Sequence, residues 1–223
     1  MSLGLPAGSS GTYRSSSPFE LRHASTHRPV LVVVPERRIL AINGAGPREA
    51  SDFRLATTLL RTVGETMRAM MRRARGTDPL RSVLEVTWPL PPRLTVDEIL
   101  EVLSSPTPRW CQMIELPDIA LESTALEAID EARRKGHREV PLVRLTHLTE
   151  GPAVQILHLG RDGAVSSIRK LYAFVAASGF TASGDLHELV VADGNIVGSA
   201  RARSILRVPI AYGTDMAGPL STP

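Results

Sequence analysis

Apolar positions along the chain keep two different rhythms. Pro29-Val30-Leu31-Val32-Val33-Val34 is a continuous β-branched run and reads as a buried strand. Pro35-Glu36-Arg37-Arg38 is expected to turn the chain into a second strand from Ile39 to Asn43, closed by Gly44-Ala45-Gly46-Pro47. The rhythm then becomes helical. Ser51 or Asp52 serves as the cap, Leu55, Leu59, Val63, Met67 and Met70 as the apolar stripe, and Gly76-Thr77-Asp78-Pro79 as the stop. Arg54, Arg61, Glu65, Arg68 and Arg72 lie off the stripe. Ser82 to Trp88 alternates as a strand, Thr95-Val96-Asp97-Glu98 is a capping box for a short helix to about Leu103, and Trp110 to Leu116 is a further strand. A helix from about Leu121 to Arg134 follows.

The second half repeats this order. Val140 to Leu148 is a strand, Thr149-Glu150-Gly151-Pro152 a turn, and Ala153 to Leu159 a strand. Ala164 to Ala177 is a helix with its stripe on Val165, Ile168, Leu171, Tyr172 and Val175, ended at Gly179. Leu186 to Asp193 and Ser204 to Ile210 complete the set. The unit of strand, turn, strand, long helix, strand, strand thus occurs at about residues 30–116 and again at 140–210. Such a unit covers its own sheet poorly, so two copies are expected to pair about a pseudo-twofold axis with a cleft between them. Residues 1–27 and 212–223 have no periodicity and read as tails, leaving one domain over 28–211.

Composition narrows the function classes. The chain has 223 residues, 43% hydrophobic and 22% charged, with a net charge of +3 spread over many arginines. That gives little support to direct nucleic-acid binding. Cys111 is the single cysteine, which excludes an internal disulfide and a cysteine-based metal site. No apolar run reaches the roughly 20 residues of a membrane span, and the N-terminus lacks a signal-peptide core, so a cytoplasmic protein with no membrane partner is expected. The N-terminal tail is too short and polar for a helix-turn-helix, which disfavours a complete DNA-binding regulator.

Leu186-His187-Glu188-Leu189-Val190 is the informative strand. Leu186, Glu188 and Val190 share one face, and His187, Leu189 and Val191 the other. Both faces are largely apolar, so the strand is expected to be central. A carboxylate between two aliphatic residues needs a partner or a ligand. Glu188 therefore either faces a pocket, with burial raising its pKa towards that of a general base, or pairs with a neighbour such as Arg207. Trp88 and Trp110 are either flat ligand-binding surfaces or core. Glu85 is placed as the pseudo-symmetric mate of Glu188, more readily ion-paired or solvated than ligand-facing. His158 and His187 fit hydrogen-bonded structural histidines better than a metal pair, and no spacing supplies further ligands. Gly44-Ala45-Gly46 lacks the full dinucleotide or P-loop pattern. No cofactor is indicated.

The ordered pieces Val30–Gly46, Leu84-Glu85 with Trp88, Trp110 with Met113-Ile114 and Pro117-Asp118, Val154-Gln155-Ile156-Leu157-His158-Leu159-Gly160, His187-Glu188-Leu189 and Ile205–Ile210 together resemble the stand-alone GyrI-like small-molecule-binding proteins. The resemblance spans residues 28–211. It implies an α+β fold of two pseudo-symmetric βαββ modules, antiparallel sheets with helices packed on one face, forming a ligand cleft between them. It implies binding of bulky hydrophobic, planar or polycyclic compounds, xenobiotics or toxins, with Glu188 at the position that faces cationic drugs in multidrug-sensing regulators. Some stand-alone members are cyclopropanoid cyclopropyl hydrolases, which open spiro-cyclohexadienone toxins; Glu188 would then be the catalytic base. The ligand contacts implied are Trp88, Trp110, Glu188, Arg61 and Glu65.

There are departures from the family pattern. Arg61 and Glu65 stand where stand-alone members often carry tyrosines, Gly160-Arg161-Asp162 stands in place of Gly-Pro-Tyr, and Trp88 is single where a pair is common. With 4% aromatic residues an aromatic cage is thin. The family name also refers to an inhibitor of DNA gyrase, but a chain of charge +3 offers no acidic surface of that kind. Oligomeric state is not legible in the residues.

Overall fold

A computed structural model describes residues 24, 26–76, 83–117, 119–135, 142–160, 164–192 and 201–212; both proposed tails lie largely outside them. The strands are β1 (Val30–Val34), β2 (Arg37–Ala45), β3 (Leu84–Trp88), β4 (Arg109–Glu115), β5 (Arg144–Leu148), β6 (Gly151–Leu159), β7 (Phe180–Ala182), β8 (Leu186–Ala192) and β9 (Arg203–Tyr212). The helices are α1 (Ser51–Arg75), α2 (Val96–Leu103), α3 (Glu122–Arg134) and α4 (Ala164–Ala177). The α+β class is as expected.

Local chemistry explains most boundaries. Thr95 and Glu98 form the reciprocal capping box of α2. α1 ends at Gly76, whose left-handed φ of 64° lets its N–H reach the Arg72 carbonyl at 2.9 Å. Its start differs from expectation. Ala50 is the N-cap and makes no side-chain bond; the backbone turn from Pro47 to Ala50 sets the entry instead. The buried stripe of α1 is Phe53, Ala56, Leu59, Leu60, Val63, Met67 and Met71, which leaves Leu55 exposed and Met70 only partly covered. Phe53 in the first turn heads the stripe and fixes the helix's rotation. Val165 at the start of α4 is likewise exposed, while Ile168, Leu171, Tyr172 and Val175 are buried.

Strand pairing departs from the hairpins that the sequence suggested. β1 does not pair with β2, nor β5 with β6. The order is β1-β6-β9-β8-β3-β4-β2-β5, all antiparallel, with β7 added beside β9. Each module has given its first strand to the other. The cause lies in the connections: Pro35-Glu36 and Thr149-Glu150 carry the chain across instead of folding it back. The two crossings touch, Thr149 Oγ1 donating to Glu36 Oε2 at 3.2 Å.

This exchange forces the sheet to curl. Laid flat, β1 and β2 would be six strand spacings apart, about 29 Å. Val34 and Arg37 can be separated by at most about 11 Å, because only two residues lie between them. The two ends of the sheet are therefore brought together. Register assigns Leu40, Ile42, Val86, Trp88, Ile114, Val154, Ile156, Leu206 and Val208 to the face that packs on the helices, where they form the main core. The opposite face is buried without helices among the described residues. It carries Ile39, Ala41, Met113, Leu189 and Ile205, and a charged cluster at its centre.

That cluster ties the exchanged halves together. Arg37 of β2 makes a two-pronged bond to Glu85 of β3, 2.9 Å at each nitrogen, and reaches Glu150 at 3.3 Å. Glu150, at the β5–β6 crossing, also accepts from Arg207 of β9 at 3.2 Å and lies 2.8 Å from His187 Nδ1. His187 Nε2 is 2.9 Å from Glu85 Oε2, outside hydrogen-bonding angles, and Arg207 donates twice to Gln155. Burial pushes both carboxyls up, but His187 and the arginines outweigh it: Glu150 is held at about 2 and Glu85 well below its ordinary value. For His187, burial lowers the pKa and Glu150 with Glu85 raises it, for a net rise. Breaking one member of a buried ion cluster leaves uncompensated charge and typically costs about 3–5 kcal/mol.

The pH dependence follows from these directions. The carboxyl contributions are complete above the unfolded value of about 4.5 and fade as pH falls through the folded values. The His187 contribution is complete below the unfolded value of about 6.5 and fades as pH rises through its higher folded value. Thermal denaturation between pH 6 and 9 should show the melting temperature of the wild type falling more than that of His187→Gln, which should be the less stable of the two at pH 6. Parallel curves for the two proteins would refute a charged His187 in the cluster.

Candidate functional site

His187 and Glu188 are neighbours on β8 and so point to opposite faces of the sheet. His187 enters the charged cluster. Glu188, paired in register with Val86 of β3 and Leu206 of β9, points to the helix face. There it forms the floor of a cleft of about 480 Å³ between α1 and the start of α4. Phe53, Thr57 and Arg61 line the cleft from α1, Ala164 from α4, and His158 and Ser204 from β6 and β9.

Glu188 is fully engaged. Its Oε1 accepts from Ser204 Oγ at 2.7 Å, and its Oε2 accepts from Arg48 Nη2. Arg48 sits in the loop between β2 and α1. Its guanidinium lies 4.8 Å from the centroid of the Trp88 ring and 5.8 Å from that of Phe53. Those two rings are stacked at 6.1 Å with 13° between their planes. Burial pushes Glu188 up, but Arg48 and Ser204 outweigh it, and the carboxyl lies below its ordinary pKa. This corrects the raised pKa expected from burial alone. An ionised, doubly bonded carboxylate is a poor proton acceptor at neutral pH. Arg207 is not its partner, because register with His187 places Arg207 on the other face.

His158 has the opposite character. It is 7% exposed, its Nδ1 lies 3.1 Å from Ser167 Oγ, and its buried Nε2 has no hydrogen-bond partner. Burial lowers its pKa and outweighs the pull of Glu188, so the imidazole is neutral at neutral pH. The cleft wall therefore places a neutral imidazole, its Nε2 buried and unpartnered, beside a fixed carboxylate–guanidinium pair.

The other sequence-derived candidates separate in space. Arg61 lines the cleft wall. Glu65, one turn further on, is half exposed, faces Arg68 at 3.6 Å and is not part of the lining. Trp88 is 5% exposed and lies beneath Arg48, in contact with Phe53. Trp110 is core: it is 3% exposed, packs edge-on against Phe53 at 5.2 Å, and donates its indole N–H to the Gly46 carbonyl at 3.1 Å. Its ring lies flat over Gly44, where any side chain would collide with it. Glu85 is not the mate of Glu188. It pairs in register with Leu189, lies on the opposite face and is ion-paired to Arg37. Cys111 is half-buried with a raised thiol pKa, burial being the main cause. Among the described residues no cluster of ligating side chains could hold a metal.

Sequence reasoning passed over Arg48, Phe53 and Ser204. Arg48 follows Gly46-Pro47 in a turn, where no periodicity orients a side chain. Phe53 was missed because the stripe was started at Leu55. Ser204 could have been found, since β9 must run beside β8 and alternation puts Ser204 on the face of Leu206.

No family model matches the chain, and no curated protein matches it. Solved structures do match. An uncharacterized conserved protein from Listeria innocua superposes with a TM-score of 0.75 at 20% identity, covering 87% of this chain and 97% of that one. A hydrolase from Listeria innocua gives 0.71 at 21%, covering 86% and 96%. The C-terminal domain of EcmrR gives 0.50 at 13%, covering 83% and 98%. The chain has the GyrI-like fold. At these identities the likeness is one of architecture, and the site of this GyrI-like domain has to be argued from its own side chains. No helix among the described residues is long and apolar enough to cross a membrane.

The two histidines provide a direct check on the electrostatics of this domain. An NMR titration of the imidazole resonances should place the His158 midpoint below 6.5 and the His187 midpoint above it. The reverse order would mean that the surroundings of the two histidines, the charged cluster for His187 and the cleft wall for His158, have been assigned wrongly.

Proposed function

We propose that this domain binds bulky hydrophobic, planar or polycyclic small molecules, of the xenobiotic or toxin kind, in the cleft between α1 and α4. The observation that carries the reading is the construction of the cleft floor: a buried carboxylate bonded to the partly exposed guanidinium of Arg48, which lies over a stacked Phe53–Trp88 pair. Burying a carboxylate costs stability, its bonds to Ser204 and Arg48 offset that cost, and its place at the floor of a cleft favours a role in recognition. A cleft of about 480 Å³ falls within the range of small-molecule sites. Phe53 gives a flat ligand a ring surface, and the Thr57 hydroxyl, whose own hydrogen goes to Gln112 Oε1 at 2.7 Å, gives it an acceptor oxygen.

A hydrolase is the second reading, favoured by His158 and by the likeness to a Listeria innocua hydrolase. The reaction would be addition of water to the cyclopropane of a spiro-cyclohexadienone. The water oxygen bonds to the cyclopropane CH₂, the C–C bond breaks, and its electrons aromatise the ring, whose oxygen takes up a proton as the phenol forms. The proton released by the water would go to His158 Nε2, in the tautomer whose Nδ1–H donates to Ser167 Oγ and after the imidazole turns its buried Nε2 towards the cleft, and not to Glu188, which is ionised but already engaged. Glu188 then positions Arg48 near the developing phenolate.

Binding is tested with Nile red, a neutral planar dye. Saturable fluorescence enhancement is expected, weakened about ten-fold or more, roughly 1.4 kcal/mol, by Ala164→Trp, which fills the cleft, and by Phe53→Ala. Affinity untouched by Ala164→Trp would remove the cleft as the site. Turnover is tested by incubating a spiro-cyclopropane cyclohexadienone with the protein and separating the products. General-base catalysis predicts that His158→Gln lowers the rate by about 100-fold or more. Survival of the cyclopropane at the buffer-only rate leaves the domain a binder.

A further inference from the structure

Arg48 occupies, from within the chain, the place that a ligand cation would take. Its guanidinium lies over the Trp88 and Phe53 rings and bonds the carboxylate beneath. The remaining oxygen of Glu188 is filled by Ser204. We propose that Arg48 sets the charge class of the ligand: the cleft takes planar organic anions, such as an aromatic carboxylate or phenolate, and turns away planar cations of the same shape. This rests on the cleft being the ligand site.

Two physical arguments support the choice. A cation entering the floor would gain contacts with Glu188 and the two rings only by removing the same contacts from Arg48. Arg48 is tethered three residues before the start of α1, so it competes at high effective concentration. The exchange returns almost nothing. An anion, by contrast, needs no displacement. One side of the guanidinium covers Trp88, yet the side chain remains 38% exposed, so a planar anion can stack on it and accept its outward N–H groups.

The rest of the wall agrees. Its charged groups are Arg48, Arg54 and Arg61 against Glu49 and Glu188, and His158 is neutral. Arg54 donates to the Glu49 backbone carbonyl, an uncharged acceptor. The guanidinium of Arg48 stands in a concave, partly apolar site, which concentrates its field on whatever enters.

The test uses two dyes built on one xanthene ring, fluorescein as the anion and rhodamine 123 as the cation, read by fluorescence polarisation at pH 7.5 and physiological salt. Wild type should bind fluorescein about ten-fold or more tightly than rhodamine 123, and Arg48→Gln should abolish or invert that ratio. The double variant Arg48→Gln/Glu188→Gln leaves no buried unpaired charge and should bind the two dyes within about three-fold of each other. Tighter binding of rhodamine 123 by wild type, or a ratio unchanged in either variant, overturns the proposal. If Nile red binds and neither charged dye does, the charge assignment is wrong while the cleft stands. If Nile red also fails, the cleft itself is not a ligand site.

Discussion

Everything in this fold depends on two crossings of two residues each. Pro35-Glu36 and Thr149-Glu150 send the first strand of each module to the edge of the other. Connections that short can join strands at opposite ends of the pairing order only if the sheet curls until its ends meet. Curling buries the face that no helix covers, and that face contains Glu150 at one crossing with Arg37, Glu85, His187 and Arg207 around it. Backbone topology thus creates the dry site, and the ion cluster makes it tolerable. An apolar cluster of the same volume could be as stable. What charges add is direction: each guanidinium accepts only a few geometries, so the cluster specifies which strand is exchanged and in what register.

The same constraint builds the cleft. β3 and β8 meet at the pseudo-twofold axis, and the pair Val86–Glu188 lies at its centre. One residue earlier on β8, His187 is locked into the cluster on the far side. Because a strand alternates strictly, fixing the direction of His187 fixes that of Glu188. A slip of one residue would put the imidazole in the cleft and the carboxylate among the carboxylates of the cluster, with like charges facing each other. The architecture of the hidden face therefore defends the position of the functional one.

The repeat, the α+β class and the central place of β8 were legible in the sequence, because each follows from period or alternation; for Glu188 alternation left a pocket and an ion pair open, and its carboxylate both lines the cleft and pairs with Arg48. Strand exchange was not. A hairpin and a crossing differ only in the path of two or three residues, and Pro35-Glu36-Arg37 permits either. The error about Glu85 has the same root. It was paired with Glu188 by its place in the repeat, but place in a repeat does not give parity in the ladder. Trp110 was offered as a ligand surface because aromatic residues are scarce here; scarcity does not locate a side chain, whereas Gly44 opposite it in the register marks a ring lying flat on the backbone.

The pKa of Glu188 shows most plainly what a sequence withholds. Burial between aliphatic residues argues for a carboxyl shifted upward, and that argument is sound as far as it goes; burial does push it up. The sign is decided by Arg48, which lies 140 residues away in the chain and in a loop without periodicity. A buried carboxylate held ionised by an internal cation differs from one awaiting an external cation, although the strand that presents it is identical. On this sheet the chemistry of the floor can therefore be changed through a single loop residue while the strands, the helices and Glu188 stay the same. Arg48 is the residue through which the floor of this cleft departs from the expectation that its strand pattern sets.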